Sequence, residues 1–180
     1  MKPLLITDAS VLVNLLATEA FEEIARQSGW RFVICEAVRN EVLALRNAET
    51  GEMEPLDLQP FIRSQLIEVV ALEPSEIEGY VEYSALVDDG EAMSLAIAEA
   101  RHLAIAIDDR RAFNIAQRRG LLATMLTTPD LLHAWSQQTK ADDEAVGVLL
   151  KLVETRARYL PPKSHALKQW WNSCRAAVAE

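Results

Sequence analysis

The sequence predicts an α/β domain: a three-layer α/β/α arrangement around a central parallel sheet of about five strands, with a C-terminal helical extension. Three observations predict it. Short apolar runs alternate along the chain with longer stretches of helical periodicity. Ala, Leu, Ile and Val do most of the apolar filling while aromatic residues make up only 6%. That mixture suits helices packed on a parallel sheet better than an all-β sandwich. Finally, 180 residues at 50% apolar are enough for one sizeable core. We expect residues 1–130 to form the main domain and residues 131–180 to form helices packed on it.

The elements follow in order. LLIT (4–7) is a first strand ending at Asp8, and Val11, Leu12, Leu15 and Leu16 mark the helix after it. FVIC (32–35) is a second strand. EAVRNEVLALRNAE after it reads as one helix with Val38, Val42 and Leu45 on a face and Glu41 near its first turns. Gly51, Pro55 and Pro60 then make a loop or broken helix. LIEVVAL (66–72) is the third strand, and residues 74–86 a helix with Pro74 or Ser75 at its start. A helix from about Gly90 to Arg101, the strand LAIAI (103–107) and a helix from about Arg110 to Gly120 come next. LLATML (121–126) is the fifth strand. Thr128 before Pro129 reads as the cap of a further helix, and helical segments at about 142–157 and 164–178 flank Pro161-Pro162. Such an order implies parallel strands joined by right-handed crossovers, with ligands gathering at the carboxyl ends of the strands.

Composition excludes several functions. No apolar run approaches the roughly 20 residues that cross a bilayer. Asp8 and Asn14 interrupt the N-terminal apolar stretch, which argues against a signal peptide. Cys35 and Cys174 are lone cysteines of the kind found buried in a reducing compartment, so a cytoplasmic protein with no membrane contact is expected. A net charge of −9 argues against indiscriminate adhesion to nucleic acid. Basic residues are nevertheless grouped, at Arg110, Arg111, Arg118 and Arg119 and again, free of acids, through residues 155–179. No glycine-rich phosphate loop supports a nucleotide-cofactor reading.

The acids carry the chemistry. Asp8 ends the first strand and the doublet Asp108-Asp109 ends the fourth. Glu41 follows the second strand, and Asp88, Asp89 and Glu91 open the helix that feeds the fourth. All but Glu41, which stands at no obvious cap position, are readable as helix caps, with Asp88 and Glu91 spaced as a capping-box variant. Together they say more, because like charges crowded at one sheet edge repel unless a cation sits among them. Hard oxygen donors in this number suit Mg²⁺ or Mn²⁺ and not zinc, and the scattered His102, His133 and His165 offer no competing ligand set.

Four blocks, in order over residues 4–130, resemble the PIN-domain nucleases: ITDASVLVNLL, RNEVLAL, the G-E-A helix in DDGEAMSLAIAEA, and the strand ending in D-D-R. The longer tail is similar to a longer prokaryotic subgroup, VapC-type toxins among them. The resemblance implies Asp8, Glu41, Glu91 and Asp109 as catalytic, metal-holding acids, with Ser10 and Asn14 supporting Asp8. Two registers stay open: Asp108 in place of Asp109, and Asp89 in place of the favoured Glu91.

The activity so implied is Mg²⁺- or Mn²⁺-dependent cleavage of RNA. It suits the toxin of a VapBC-type pair, a homodimer with a small antitoxin partner. The alternatives are a housekeeping RNA-processing nuclease and a catalytically silent module that binds RNA or protein. Arg110 and Arg111 are candidate RNA-phosphate contacts, with a plain solvated helix face as the rival reading. Trp170-Trp171 reads better as an anchor for the last helix than as a base-stacking platform.

Overall fold

A computed structural model of the chain describes residues 2–121 and 124–178. Its centre is a five-stranded, wholly parallel sheet in the order β5-β2-β1-β6-β7. The strands are β1 (Leu4–Thr7), β2 (Arg31–Cys35), β5 (Ile67–Val70), β6 (Ala104–Ala106) and β7 (Met125–Leu126). The helices are α1 (Ala9–Ala17), α2 (Phe21–Gln27), α3 (Glu36–Glu41), α4 (Gln59–Arg63), α5 (Ile77–Ser84), α6 (Asp89–Arg101), α7 (Arg110–Arg118), α8 (Thr128–Thr139), α9 (Asp143–Leu152) and α10 (Lys168–Ala177). They cover the sheet in the expected three-layer α/β/α fold. Leu5, Ile6, Phe32, Val33, Ile34 and Ile105 are fully or almost fully buried, as strands covered on both faces demand.

The strand order places the site. From β1 the chain winds outward through β2 and β5, then returns to lay β6 and β7 on the other side of β1. The direction of winding therefore reverses between β1 and β6, and a crevice opens outside the carboxyl ends of those two strands. Asp8 and Asp108 are the residues that leave them.

The long helix expected after β2 stops at Glu41, and a small antiparallel hairpin follows, β3 (Ala44–Arg46) against β4 (Met53–Pro55). Val42 and Leu45 remain buried, so the apolar spacing was core spacing carried by a different backbone. The Asn47 carboxamide accepts from the Glu49 and Thr50 backbone N–H groups, and Gly51 takes φ +74° to turn the chain. The cap of α8 is Thr127, one residue before the expected Thr128, because Thr127 and Asp130 form a reciprocal capping box. The last helix begins at Lys168, not 164, after the Pro161-Pro162 segment. β7 is described only at Met125–Leu126; residues 122–123 of the expected fifth strand lie outside the described residues.

The extension is tied down at several points. Gly147 lets α10 approach α9, since a Cβ there would stand 2.1 Å from the Cys174 carbonyl oxygen. Trp171 is fully buried and its indole N–H donates to Glu154 at 2.7 Å. Trp170 packs edge-on against His133, so both tryptophans anchor the helix. Among the described residues no helix is long and apolar enough to cross a membrane.

Candidate functional site

Asp8 is held at the sheet edge by backbone. Its N–H donates to the Ala106 carbonyl at 3.1 Å, extending the β1–β6 ladder by one bond. Its carboxylate caps α1, accepting from Val11 N–H at 2.8 Å and from the Ser10 hydroxyl at 2.8 Å. The residue is 1% exposed. Burial pushes its pKa up to about 7, the two capping bonds pull the other way, and the charges of Asp108 and Glu91 add to the rise.

Glu91 lies in the first turn of α6 and faces the same crevice. Burial first, then the charge of Asp109, raises it to about 7, with Asp88 and Glu41 adding to the effect. Glu41 comes from the end of α3, where the sequence alone gave no cap to explain it. Its carboxylate accepts from the Gly90 N–H at 3.0 Å, so it sits on the amino end of α6. Burial and then, against the pull of that bond, the charges of Asp89 and Asp88 raise its pKa. Gly90 makes this approach possible: a Cβ there would stand 2.6 Å from both Glu41 carboxylate oxygens. That role was hidden in the sequence, although a glycine early in an otherwise alanine-rich helix was its signal.

The two members of the aspartate doublet behave differently. Asp109 is exposed and caps α7 through one oxygen, which accepts from Ala112 N–H at 2.8 Å. Asp108 turns toward α8. It accepts from Thr128 N–H at 2.9 Å, the Thr128 hydroxyl at 2.5 Å, Asn14 Nδ2 at 2.8 Å and the Tyr159 hydroxyl at 3.1 Å. Asn14 therefore supports Asp108 and not Asp8. Burial and the Asp108 charge push the Tyr159 hydroxyl pKa well up, which keeps it a donor. Asp89 is exposed and accepts from the Tyr80 hydroxyl. Asp88 stands at the N-cap position of α6, but its side chain makes no capping bond.

Arg110 and Arg111 open α7 and are exposed, with no ion pair among the described residues. Cations at a helix amino end work against the dipole, so the neighbouring acids or an anionic ligand must offset them. Arg119, by contrast, pairs with Glu82 and lies over the Tyr83 ring at 4.5 Å.

Among the described residues no three acidic, histidine or cysteine side chains stand close enough to form a ready-made metal cage. The donor chemistry still fits a divalent cation. Asp8 and Glu91 are carboxylates raised to about 7 by burial and by one another's clusters, and none of the causes of either rise is a nearby cation. Glu41, Glu91 and Asp109 are hard oxygen donors of the kind such an ion takes, and Glu41 and Asp109 are exposed.

No curated protein matches the chain. The family model described as a PIN domain matches residues 4–168, which takes in every acid of the site and most of the extension. With that match and a five-stranded parallel sheet that gathers acids at the β1/β6 edge, the chain belongs to the PIN-domain family, whose fold is a nuclease fold.

Proposed function

We propose that this protein is a metal-dependent endoribonuclease that hydrolyses RNA phosphodiesters at the β1/β6 edge. The observation that carries the reading is the crowding of acids: beyond burial, Asp108 and Glu91 raise Asp8, and Asp109, Asp88 and Glu41 raise Glu91, so acids from four separate segments share one field. Asp8, Glu41, Glu91 and Asp109 hold Mg²⁺ or Mn²⁺ in this reading. Asp109 takes the place at the doublet because one of its oxygens accepts no protein hydrogen bond among the described residues, whereas Asp108 already serves four donors. Asp89 is left to Tyr80.

When bound, the cation polarises the phosphodiester and makes a water more acidic. The chain's own residues do the rest. Val11 N–H and the Ser10 hydroxyl orient Asp8. Gly90 N–H aims Glu41, and Asp108, gripped by Asn14, Thr128 and Tyr159, fixes the backbone from which Asp109 projects. Arg110 and Arg111, exposed at the amino end of α7, contact the RNA, Arg111 at a flanking phosphate. Residues 131–180 act as an extension on the 1–130 domain, and Tyr159 is their contact with the acidic edge.

Within this reading a toxin of the VapBC type, acting in the cytoplasm as a homodimer restrained by a small antitoxin, is the form that we favour. The exposed Ile77, Val81 and Leu86 give a protein partner apolar surface to cover. The test is cleavage of a mixed RNA pool in Mg²⁺ or Mn²⁺ against EDTA, wild type beside Asp8→Asn. Cleavage that requires metal and disappears in the variant is expected. Failure of the purified wild type to cut any RNA would overturn the enzyme reading in favour of a silent binding module.

A further inference from the structure

A cavity of about 310 Å³ lies beside the acidic edge, with Asp108 in the wall that the two share. The extension contributes Tyr159 and His165 to its lining, and the main domain contributes Phe113 of α7 and Met125 of β7. The aromatic and apolar part of the lining is thus supplied by two parts of the chain far apart in sequence, and the volume suits one ring system rather than a paired duplex.

The polar groups in it are fixed. Leu167 N–H donates to His165 Nδ1 at 3.0 Å, so the ring proton sits on Nε2, which donates to the Thr127 hydroxyl at 2.9 Å. That hydroxyl donates in turn to Asp130 Oδ2 at 2.5 Å, and Thr127 N–H donates to the same oxygen at 2.9 Å. With both nitrogens engaged, His165 offers its face and not a hydrogen bond. Asp130 Oδ1 accepts no protein hydrogen bond among the described residues, and Arg110, also lining the cavity, brings donors. A locked acceptor and a cationic donor therefore line the same cavity as three aromatic rings, Phe113, Tyr159 and His165.

We infer that this cavity takes an unstacked guanine of single-stranded RNA, next to the phosphate that is cut; the inference rests on the RNA-hydrolysis reading. Guanine alone among the four bases carries adjacent N–H donors on one edge for a carboxylate and adjacent O6 and N7 acceptors on another for a guanidinium. Stacking against Tyr159, Phe113 and the His165 ring replaces the neighbours that the base leaves. The C-terminal extension thereby completes a pocket in which Asp130 and Arg110 set sequence preference.

Two measurements on the full-length, metal-free and metal-loaded protein separate this from the nuclease reading. In the first, guanosine, adenosine, cytidine and uridine 5′-monophosphates are titrated while NMR signals of His165 and Tyr159 are followed. The guanosine nucleotide should shift both and bind at least about tenfold more tightly than the uridine one. Asp130→Asn, which keeps an acceptor for Thr127 N–H, should erase that difference. Ala166→Trp, placed at an exposed lining position to fill the cavity, should abolish the shifts. Equal binding of all four nucleotides, or shifts that survive Ala166→Trp, would overturn the inference. In the second, the cut ends of a randomised RNA pool are sequenced for wild type and Asp130→Asn. Guanine enriched at one position beside the cut, and levelled in the variant, is expected. Cutting without preference removes the pocket inference and leaves the nuclease; guanosine binding without any cutting removes the nuclease and leaves a base-binding pocket.

Discussion

Asp8 and Asp108 leave neighbouring parallel strands at the same sheet edge, yet the chain treats them differently. Asp8 is enclosed and receives two hydrogen bonds, both from its own capping turn. Asp108 receives four, from α1, from both groups of Thr128 and from Tyr159 in the extension. A carboxylate has about four acceptor positions, so Asp108 is saturated by protein while Asp8 is not. Position at the edge makes an acid a candidate; the number of donors already served decides whether it has an oxygen left for a ligand. Asp108 thus reads as the post that holds the extension, and Asp8, in the proposed function, as an acid with an acceptor position left for a cation.

The largest expected effect separates the two by activity. Asp8→Asn should lower metal-dependent RNA cleavage by roughly 100-fold or more. The same change should stabilise the metal-free protein at pH 8, because an amide needs no compensation for buried charge. Asp108→Asn should do the reverse in kind. An amide turns an NH₂ toward donors, leaving Asn14 or Thr128 unpaired at a cost of about 1–3 kcal/mol, read by denaturant unfolding. Equal loss of activity in the two variants, with no stability difference, would erase the distinction.

Gly90→Ala sharpens it further. The Glu41 carboxylate must swing aside to admit a Cβ, so cation affinity should fall about 10- to 100-fold. The helix itself should gain up to about 0.5–1 kcal/mol from the alanine. Calorimetric Mn²⁺ titration and thermal melting of one variant then move in opposite directions, which a purely structural role for Gly90 would not produce.

pH supplies a third contrast. Asp8 binds its proton more tightly folded, at about 7, than unfolded, near 3.8. Between about pH 4 and pH 7 the native state therefore holds more protons, and stability falls as pH rises through that window. For Asp8 alone the loss is on the order of a few kcal/mol. Thermal melts of the metal-free protein should show it, and the slope should shrink in Asp8→Asn. Saturating Mn²⁺ should raise the melting temperature more at pH 8 than at pH 5.5, since the ligands must first lose their protons. The smallest effect concerns the frame: Thr127→Ala should cost about 1 kcal/mol through the α8 cap.

Much of this architecture was legible because its causes are local. Apolar runs marked the strands, and Asp8 and Asp109 declared themselves as caps while also standing at the edge. The hairpin β3–β4 was not legible from periodicity, since three-residue strands are too short to show a period, although Asn47 and Gly51 signalled its turn. The fate of the aspartate doublet was hidden for a different reason. Thr128 and Tyr159 lie 20 and 51 residues beyond Asp108, and only the folded chain brings them to it. Asn14, one helical turn past Ser10, looked like a natural support for Asp8 and instead reaches across to Asp108.

The most direct test of the shared acidic field is a Mn²⁺ titration of the RNA-free protein at pH 8, followed by calorimetry, in wild type, Asp8→Asn, Glu91→Gln and Asp89→Asn. Saturable binding that is lost in Asp8→Asn, weakened in Glu91→Gln and retained in Asp89→Asn is the predicted result. Binding unchanged by Asp8→Asn, or no saturable binding by the wild type, would contradict a single cation site at the β1/β6 edge.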